Sequence, residues 1–228
     1  MCVRTHLKGP NMTTLLHISA SPRGDASHSL AIARTFVEAF EHASPEASVD
    51  HWNLWDGSLP DFGPDAAGAK MRVFAGEAPQ GAEELAWYRA RLAFERFAAA
   101  DLYLFSLPMW NSGVPYIAKQ FIDVVSQPGW VFGFDGETGY TGLLEGKRAA
   151  VVYTSAVYGD ERPPAFGSDF QQPFFDGWLR WAGVQEIDSI EFRPNLAVGD
   201  PEPARLAAHA EARRLGAEFA RDARAAAA

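Results

Sequence analysis

The stretch SASPRGDASHS, Ser19 to Ser29, separates a short apolar run from a run with helical periodicity. The apolar run, Leu15 to Ser19, has the length and composition of a buried strand. Beyond the stretch, apolar residues recur at three- and four-residue intervals from Leu30 to Phe40, which predicts an amphipathic helix over about 29–42. The stretch therefore connects a strand to a helix N-terminus, a position that often binds anions.

Three serines crowd this connection: Ser21, Ser27 and Ser29. A helix N-terminus carries unpaired backbone N–H groups and the positive end of the helix dipole, so it attracts phosphate. A single N-cap would account for Ser27 or Ser29 alone, whereas all three hydroxyls favour a phosphate site. The stretch contains neither GxxxxGK[ST] nor GxGxxG, which disfavours ATP and a dinucleotide bound in the Rossmann manner. His28 is interpreted as a solvated neighbour of the site.

The rest of the chain alternates between strand and helix patterns. Further strands are predicted near 48–54, 101–107, 148–154 and 187–192, and helices near 80–99, after residue 115, over 172–183 and from about 203. The 80–99 helix is expected to bury Leu85, Tyr88, Leu92 and Phe97, and the Gly- and Pro-rich segment before it to form a surface excursion with one helical turn near Met71. This alternation predicts an α/β fold, a doubly wound parallel sheet with helices on both faces.

Composition narrows the class of protein. The 228 residues are 47% hydrophobic with a net charge of −9, which suits one domain and disfavours nucleic acid and anionic membranes as partners. No apolar run is long enough to span a bilayer, so the cytoplasm is the expected location. The single cysteine, Cys2, allows no intrachain disulfide. The six histidines show no HxxxH or HExxH spacing, so no metal site is expected.

The first residues differ in character from the rest of the chain. Residues 1–12 are basic and lack an apolar core, whereas the sequence from Met12 leads directly into the first strand. We expect 1–12 to be an N-terminal tail that lies upstream of a true start at Met12, with an ordinary ordered or frayed tail as the alternative. Residues 13–228 then form the single domain.

Two more loops follow predicted strands at the edge where ligands bind in such sheets. PMWNSGVP, residues 108–115, places Trp110 and Asn111 between a strand end and a helix start, and a rigid aromatic with backbone donors suits a flat heteroaromatic ring. The alternative is that Trp110 packs in the core. TSAVYG, residues 154–159, offers Ser155 and Tyr158, with an ordinary strand-to-helix connection as the alternative.

Together these loops, with GWVFGFDGETGYTGLLEGKRAAVVYTS and PFFDGWLRWAGV, resemble the FMN-dependent NADH:quinone oxidoreductases known as azoreductases. The resemblance covers the chain from about Met12, and PMWN followed by VP is its most specific part. It implies a flavodoxin-like five-stranded sheet in the order 2-1-3-4-5. It also implies the following FMN-binding residues: Ser21, Ser27, His28 and Ser29 at the phosphate, Met109, Trp110, Asn111 and Ser112 along the ring, and Ser155, Ala156, Val157 and Tyr158 at a third contact.

The resemblance further implies a homodimer in which 130–144 forms a lid over the partner's flavin. Phe132, Phe134 and Trp178 would line the substrate pocket, with core or dimer packing as the alternative for Phe132 and Trp178. Relatives often have Phe in place of Ser112 and a Gly-rich SRGG-like third loop in place of SAVY. These two departures affect packing beside the flavin and the ring contacts of the third loop.

The implied reaction is a ping-pong transfer of two electrons from NADH or NADPH to a quinone or azo compound. The flavin would carry the chemistry, so no catalytic side chain is expected. A flavodoxin-like electron carrier without steady NADH turnover is the main alternative, although a long lid and aromatic loops disfavour it. A flavin-free hydrolase would need a metal or an activated nucleophile, and the sequence shows neither pattern.

Overall fold

The structure, a computed structural model, describes residues 13–196 and 198–227. Its strands are β1 Thr14–Ser19, β2 Ser48–Asn53, β3 Leu102–Pro108, β4 Phe132–Asp135, β5 Gly139–Gly142, β6 Arg148–Thr154 and β7 Glu186–Phe192. Its helices are α1 His28–Ala43, α2 Pro64–Phe74, α3 Ala82–Ala98, α4 Tyr116–Val125, α5 Gln172–Ala182 and α6 Glu202–Ala227. The predicted tail, 1–12, and the question of a start at Met12 lie outside the described residues.

Five parallel strands form the central sheet in the order β2-β1-β3-β6-β7. Because β4 and β5 pair separately as an antiparallel hairpin, the sheet strands taken in chain order have the order 2-1-3-4-5. This confirms the predicted flavodoxin-like α/β fold. Ligands of such sheets bind beyond the carboxyl ends of the strands, which is the edge where the three predicted loops lie.

Two apolar clusters cover the two faces of the sheet. One face, which includes Leu15 and Leu104, packs against α1 and α6. The other, which includes Leu16 and Phe105, packs against α3, α4 and α5. The alternation of neighbouring residues between clusters follows from the two-residue period of a strand. Burial on both faces explains why the central strands are apolar throughout their length.

Helices α1 and α6 approach each other closely at Gly216. A Cβ atom added at Gly216 would lie 2.3 Å from the carbonyl oxygen of Phe36, a distance that no side chain tolerates. Glycine is therefore required by the approach of the α1 backbone to α6.

Two local predictions were wrong. The surface excursion contains an eleven-residue helix, α2, rather than a single turn near Met71. On α3, Leu85, Tyr88 and Leu92 are exposed, and the buried face consists of Ala90, Ala93 and Phe97. Helix α3 packs against α2 and α4, and small alanine side chains on its inner face let the helices approach closely. The small size of the residues, rather than their hydrophobicity, therefore decides which face of α3 is buried.

Candidate functional site

Backbone hydrogen bonds join the three loops into one edge. Beyond β1, the Ala20 N–H donates to the Ser106 carbonyl at 3.1 Å. Beyond β3, the Met109 N–H donates to the Thr154 carbonyl at 2.6 Å, and the Ser155 N–H donates to the last residue of β7. The parallel ladder therefore continues past the strands, and it sets the positions of the three loops relative to one another.

In the first loop the serine hydroxyls gather at the N-terminus of α1. Ser21, Ser27 and Ser29 are at most 4% exposed. The Ser27 Oγ accepts a hydrogen bond from the Leu30 N–H at 3.3 Å and lies 3.1 Å from the Ser29 Oγ. Ser27 is thus the N-cap of α1, as in the alternative in which a serine only caps the helix. Its hydroxyl also lies in a buried pair with that of Ser29.

The first turn of α1 leaves backbone donors for a ligand. The Ala31 N–H donates to the Ser27 carbonyl as the first intrahelical bond, and the Leu30 N–H is used by the Ser27 side chain. The N–H groups of His28 and Ser29 precede these bonds and point out of the helix N-terminus. Amide donors, hydroxyls and the positive end of the helix dipole together form a donor set that fits a phosphate dianion.

Cationic side chains surround His28. Its pKa is lowered from the usual value by partial burial and by the positive charges of Arg23 and Arg205. The imidazole packs edge-on against Phe192, with ring centroids 5.2 Å apart. Arg205 is itself paired with Glu202 at 2.6 Å, so Arg23 is the cation of the two that an anion at this loop could meet.

The second loop is a tight reverse turn. The N–H groups of Trp110 and Gly113 each donate to the other's carbonyl at 2.9 Å. Between them, Asn111 and Ser112 have φ values of 49° and 68°, as in a type I′ turn. Positive φ values cost energy in residues other than glycine, and Asn tolerates them better than Ser. The loop therefore holds a strained backbone at a predicted binding position.

An aromatic cluster flanks this turn. Trp110 is 36% exposed, so it is not a core residue. Its ring lies 5.8 Å from that of Trp55 and 6.3 Å from that of Tyr116, and Trp55 and Tyr116 are 5.2 Å apart. Sequence reasoning missed Trp55, which lies in the connection after β2 and lacks a recognisable motif.

The third loop is held by the residues after β7. The N–H groups of Asn195 and Leu196 donate to the carbonyls of Ser155 and Ala156 at 2.9 and 2.8 Å. The Ser155 hydroxyl donates to the Tyr158 carbonyl. Val157 and Ala156 are exposed, and their side chains lie on the solvent side of the loop.

Arg193 is buried next to the third loop and contacts it at Tyr158. Its guanidinium, 2% exposed, donates to carboxylate oxygens of Asp169 and Glu191 at 2.7 and 2.6 Å. It also lies 5.5 Å from the ring centroids of Tyr153 and Tyr158. A buried, paired guanidinium holds its neighbours in one arrangement, so Arg193 fixes the base of the third loop.

The predicted pocket residues occupy two different places. Trp178 is buried among Phe97, Phe121 and Phe175, and its indole N–H donates to the Ser126 hydroxyl at 2.9 Å. These contacts favour the core-packing alternative for Trp178.

Phe132 and Phe134 belong to the β4–β5 hairpin, the segment predicted to be a lid. Phe132 is buried against Trp181 and Tyr140, with centroids 4.8 and 5.5 Å away. Phe134 is 62% exposed and packs on Tyr140 at 5.0 Å. Of the three predicted pocket residues, Phe134 therefore has the most surface to offer a ligand or a second subunit.

Within the described ranges, no group of three or more His, Cys, Asp or Glu residues is arranged to hold a metal ion. Over the same part of the chain, no helix has both the length and the apolar character needed to cross a membrane.

Comparison with known proteins agrees with this geometry. A family model of the flavodoxin-like fold, Flavodoxin_2, matches residues 13–215. The chain belongs to this family. A relative from Ruegeria pomeroyi, an FMN-dependent NADH:quinone oxidoreductase, is 41% identical over 191 residues, covering 84% of this chain and 94% of its own. A relative of the same description from Nitratidesulfovibrio vulgaris is 39% identical and covers 91% of this chain and all of its own. The resemblance inferred from the sequence is confirmed.

Solved structures share the fold. An azoreductase from Bacillus anthracis superposes with a TM-score of 0.83 at 22% identity, over 91% of this chain and all of its own. A second Bacillus anthracis structure, an FMN-dependent NADH-azoreductase in complex with FMN, has a TM-score of 0.83 at 21% identity, over 92% of this chain and all of its own. At these identities the superpositions establish the fold of the chain, including the order of its sheet.

Proposed function

We propose that this protein is an FMN-dependent oxidoreductase that transfers two electrons from NADH or NADPH to quinones and azo compounds. The observation that carries the proposal is the buried serine pair at the α1 N-terminus, in a loop whose Ala20 N–H is bonded to β3, the strand that leads into the PMWN turn. Relatives at about 40% identity are named for FMN, NADH and quinone, which supports the cofactor, one of the two donors and one class of acceptor.

The first loop would hold the phosphate of FMN. The donor set fits a dianion, because the adjacent hydroxyls of Ser27 and Ser29 lie at the first turn of α1, whose amides are anion donors, and Ser21 is buried in the same loop. The positive charge of Arg23 near His28 adds a favourable interaction with an anion. Every donor there can be used without moving the backbone, so the site is preorganised.

The second and third loops would orient the ring system. Met109, Trp110, Asn111 and Ser112 lie on the rigid turn, which can present backbone groups to polar atoms on the edge of a flat ring. Ser155, Ala156, Val157 and Tyr158 would close the other end. FMN, when bound, supplies the two-electron chemistry. The residues of the chain bind and orient, and none needs to act as a nucleophile or strong acid.

Donor and acceptor would use the same open face in turn, in a ping-pong order. Trp110 would form one wall of that face. Phe134 would reach it only from the hairpin of a second subunit, since within one chain the hairpin packs near Gly183, at the amino end of β7. A flat aromatic acceptor matches a site bounded by aromatic side chains.

We also propose a cytoplasmic homodimer. Six apolar or aromatic side chains near the loops are each at least 40% exposed: Tyr116, Val157, Phe166, Phe170, Phe174 and Leu196. Such surfaces are typical of protein interfaces. Sedimentation velocity tests this, since Phe170→Glu should shift the protein toward monomer, whereas Phe74→Glu on the exposed face of α2 should not. A parent protein that sediments as a monomer would contradict the dimer and leave the activity proposal intact.

The proposed activity is tested with the purified, desalted protein, loaded with FMN and freed of excess. We expect a bound-flavin absorption spectrum that bleaches anaerobically with NADH and recovers on adding a quinone. Steady NADH consumption with quinone distinguishes an enzyme from an electron carrier, and insensitivity to chelators distinguishes both from a metal-dependent hydrolase. Failure to retain flavin after incubation with FMN would refute the proposal.

A further inference from the structure

We propose that Trp55 is a positioning residue that couples the phosphate-binding loop to the ring-binding turn. This inference rests on the proposed function, because it assigns roles to loops that would hold FMN. Trp55 itself would act through Ala20 and Trp110. Its backbone turn, its indole N–H and its ring contacts each support this role.

The connection after β2 directs Trp55 toward β1. The Leu54 N–H donates to the Ser19 carbonyl at 3.0 Å, which continues the β1–β2 ladder by one residue. The chain then reverses, as the Asp56 N–H donates to the Asn53 carbonyl at 3.0 Å and the Trp55 N–H donates to the Asn53 side chain at 3.1 Å. A turn with both a backbone and a side-chain hydrogen bond has a defined conformation, so the position of Trp55 is fixed by its own segment.

The indole N–H of Trp55 is used by the phosphate-binding loop. It donates to the Ala20 carbonyl at 3.0 Å, while the Ala20 N–H is bonded to β3. Ala20 immediately precedes Ser21, one of the predicted phosphate ligands. The peptide units around Ala20 are therefore held on both sides, which sets the direction in which the loop leaves the strand.

The ring of Trp55 contacts the ring-binding turn. It lies 5.8 Å from Trp110 and packs edge-on against Tyr116 at 5.2 Å. Trp110 is partly exposed, and without Trp55 only Tyr116, 6.3 Å away, would remain as an aromatic neighbour of its ring. Edge-to-face aromatic pairs add specific geometry to apolar burial. Trp55 thus supports the side chain that would form a wall of the acceptor site.

Trp52, three residues earlier, shows how a purely structural tryptophan differs. It is 2% exposed, donates to the Ser58 hydroxyl within its own segment at 3.0 Å, and packs under Arg96. By contrast, the indole hydrogen bond of Trp55 reaches the phosphate-binding loop at Ala20, and its ring reaches the ring-binding turn at Trp110. One indole therefore bridges the two halves of the proposed flavin site.

The test uses the FMN-loaded protein and two substitutions. Trp55→Phe keeps a ring and removes the indole N–H, whereas Trp55→Leu removes both. Trp87, a partly buried tryptophan of α3 whose ring is tilted against Trp130 with centroids 4.7 Å apart, provides matched controls as Trp87→Phe and Trp87→Leu. The readouts are the Kd for FMN by flavin fluorescence, kcat and KM for NADH-dependent reduction of 2-methyl-1,4-naphthoquinone at saturating FMN, and the urea midpoint.

We expect Trp55→Phe to raise the Kd for FMN about fivefold, the factor associated with one net hydrogen bond, and to leave the naphthoquinone KM within twofold. Trp55→Leu should raise the Kd similarly and also raise KM about fivefold, with kcat within twofold. The Trp87 variants should leave Kd and KM unchanged. If Trp55→Leu leaves both constants within twofold of the parent, or if the Trp87 variants change them equally, the coupling role is wrong. A parent that binds no FMN would instead refute the proposed function itself.

Discussion

His17 should make the stability of the fold strongly pH-dependent, because its imidazole binds a proton readily in the unfolded chain and poorly in the folded one. His17 lies on β1 and is 6% exposed, with its Nε2 2.6 Å from the Ser106 hydroxyl and its Nδ1 3.1 Å from the Nδ1 of His51. Burial, and then the charge of His51, lower its pKa to about 3. Arg34 and Glu38 of α1 line the same cavity, of about 420 Å³.

The direction of the effect follows from the two pKa values. An unfolded histidine has a pKa of about 6.5, so below that pH the unfolded chain binds a proton that folded His17 does not bind. Stability is therefore lost as pH falls from 6.5 toward 3. Linkage gives a loss of about 2 kcal/mol between pH 7.5 and pH 5, and about 5 kcal/mol if the pH could be lowered past both values.

The assay is urea unfolding at pH 7.5 and pH 5.0 with FMN at one saturating concentration. His17→Gln removes the titrating group, and His42→Gln, at an exposed position in the last turn of α1, is the matched control. The parent and His42→Gln should each lose about 2 kcal/mol more than His17→Gln between the two pH values. Equal losses in the parent and His17→Gln would refute the assignment of this pH dependence to His17.

Four further outcomes are expected. Ser27→Ala should weaken FMN binding and lower the free energy of unfolding by about 1 kcal/mol, because α1 loses its N-cap. Riboflavin lacks the phosphate, so an equal loss of affinity for riboflavin would contradict a phosphate-binding role for Ser27. Ser112→Gly should raise the Tm by about 2–4 °C, because glycine adopts a positive φ without the roughly 1 kcal/mol that this conformation costs serine. An unchanged Tm would show that the backbone at Ser112 is not strained. Trp178→Ala should cost about 3–5 kcal/mol in urea unfolding, and a smaller loss would argue against its core role. Gly216→Ala should destabilise the protein at the Phe36 carbonyl, whereas Gly177→Ala, with open space around it, should not.

The central strands β1, β3 and β6 could be predicted because each is a short apolar run bounded by turn residues, whereas the edge strands β2 and β7 are more polar. Leu15 to Ser19 and Arg148 to Thr154 are buried on both faces, and double burial leaves the same signature in the sequence. The positions of the three loops followed from the fold, since parallel strands bring their carboxyl ends to one edge. The order of the strands came from the family resemblance.

Features that depend on contacts between distant segments could not be predicted in this way. The buried face of α3 is set by Ala90 and Ala93, whose small size lets neighbouring helices approach, and hydrophobicity alone selected Leu85 and Leu92 instead. Trp55 and Arg193 carry no motif, and their partners are far away in sequence. The family resemblance implies a pocket position for Trp178, but it carries no information on burial, and the side chain is 7% exposed.

The main-chain bonds that extend the parallel ladder beyond β1, β3 and β6 have a consequence for how this site can change over evolution. Because loop shape is set by backbone donors and acceptors, the exposed and half-buried side chains at Ser112, Ala156 and Val157 can be exchanged without displacing the atoms that would hold a cofactor. Substitutions at these positions can then change which electron acceptors are preferred while cofactor binding is retained. Laboratory redesign of substrate range would best begin at those three positions.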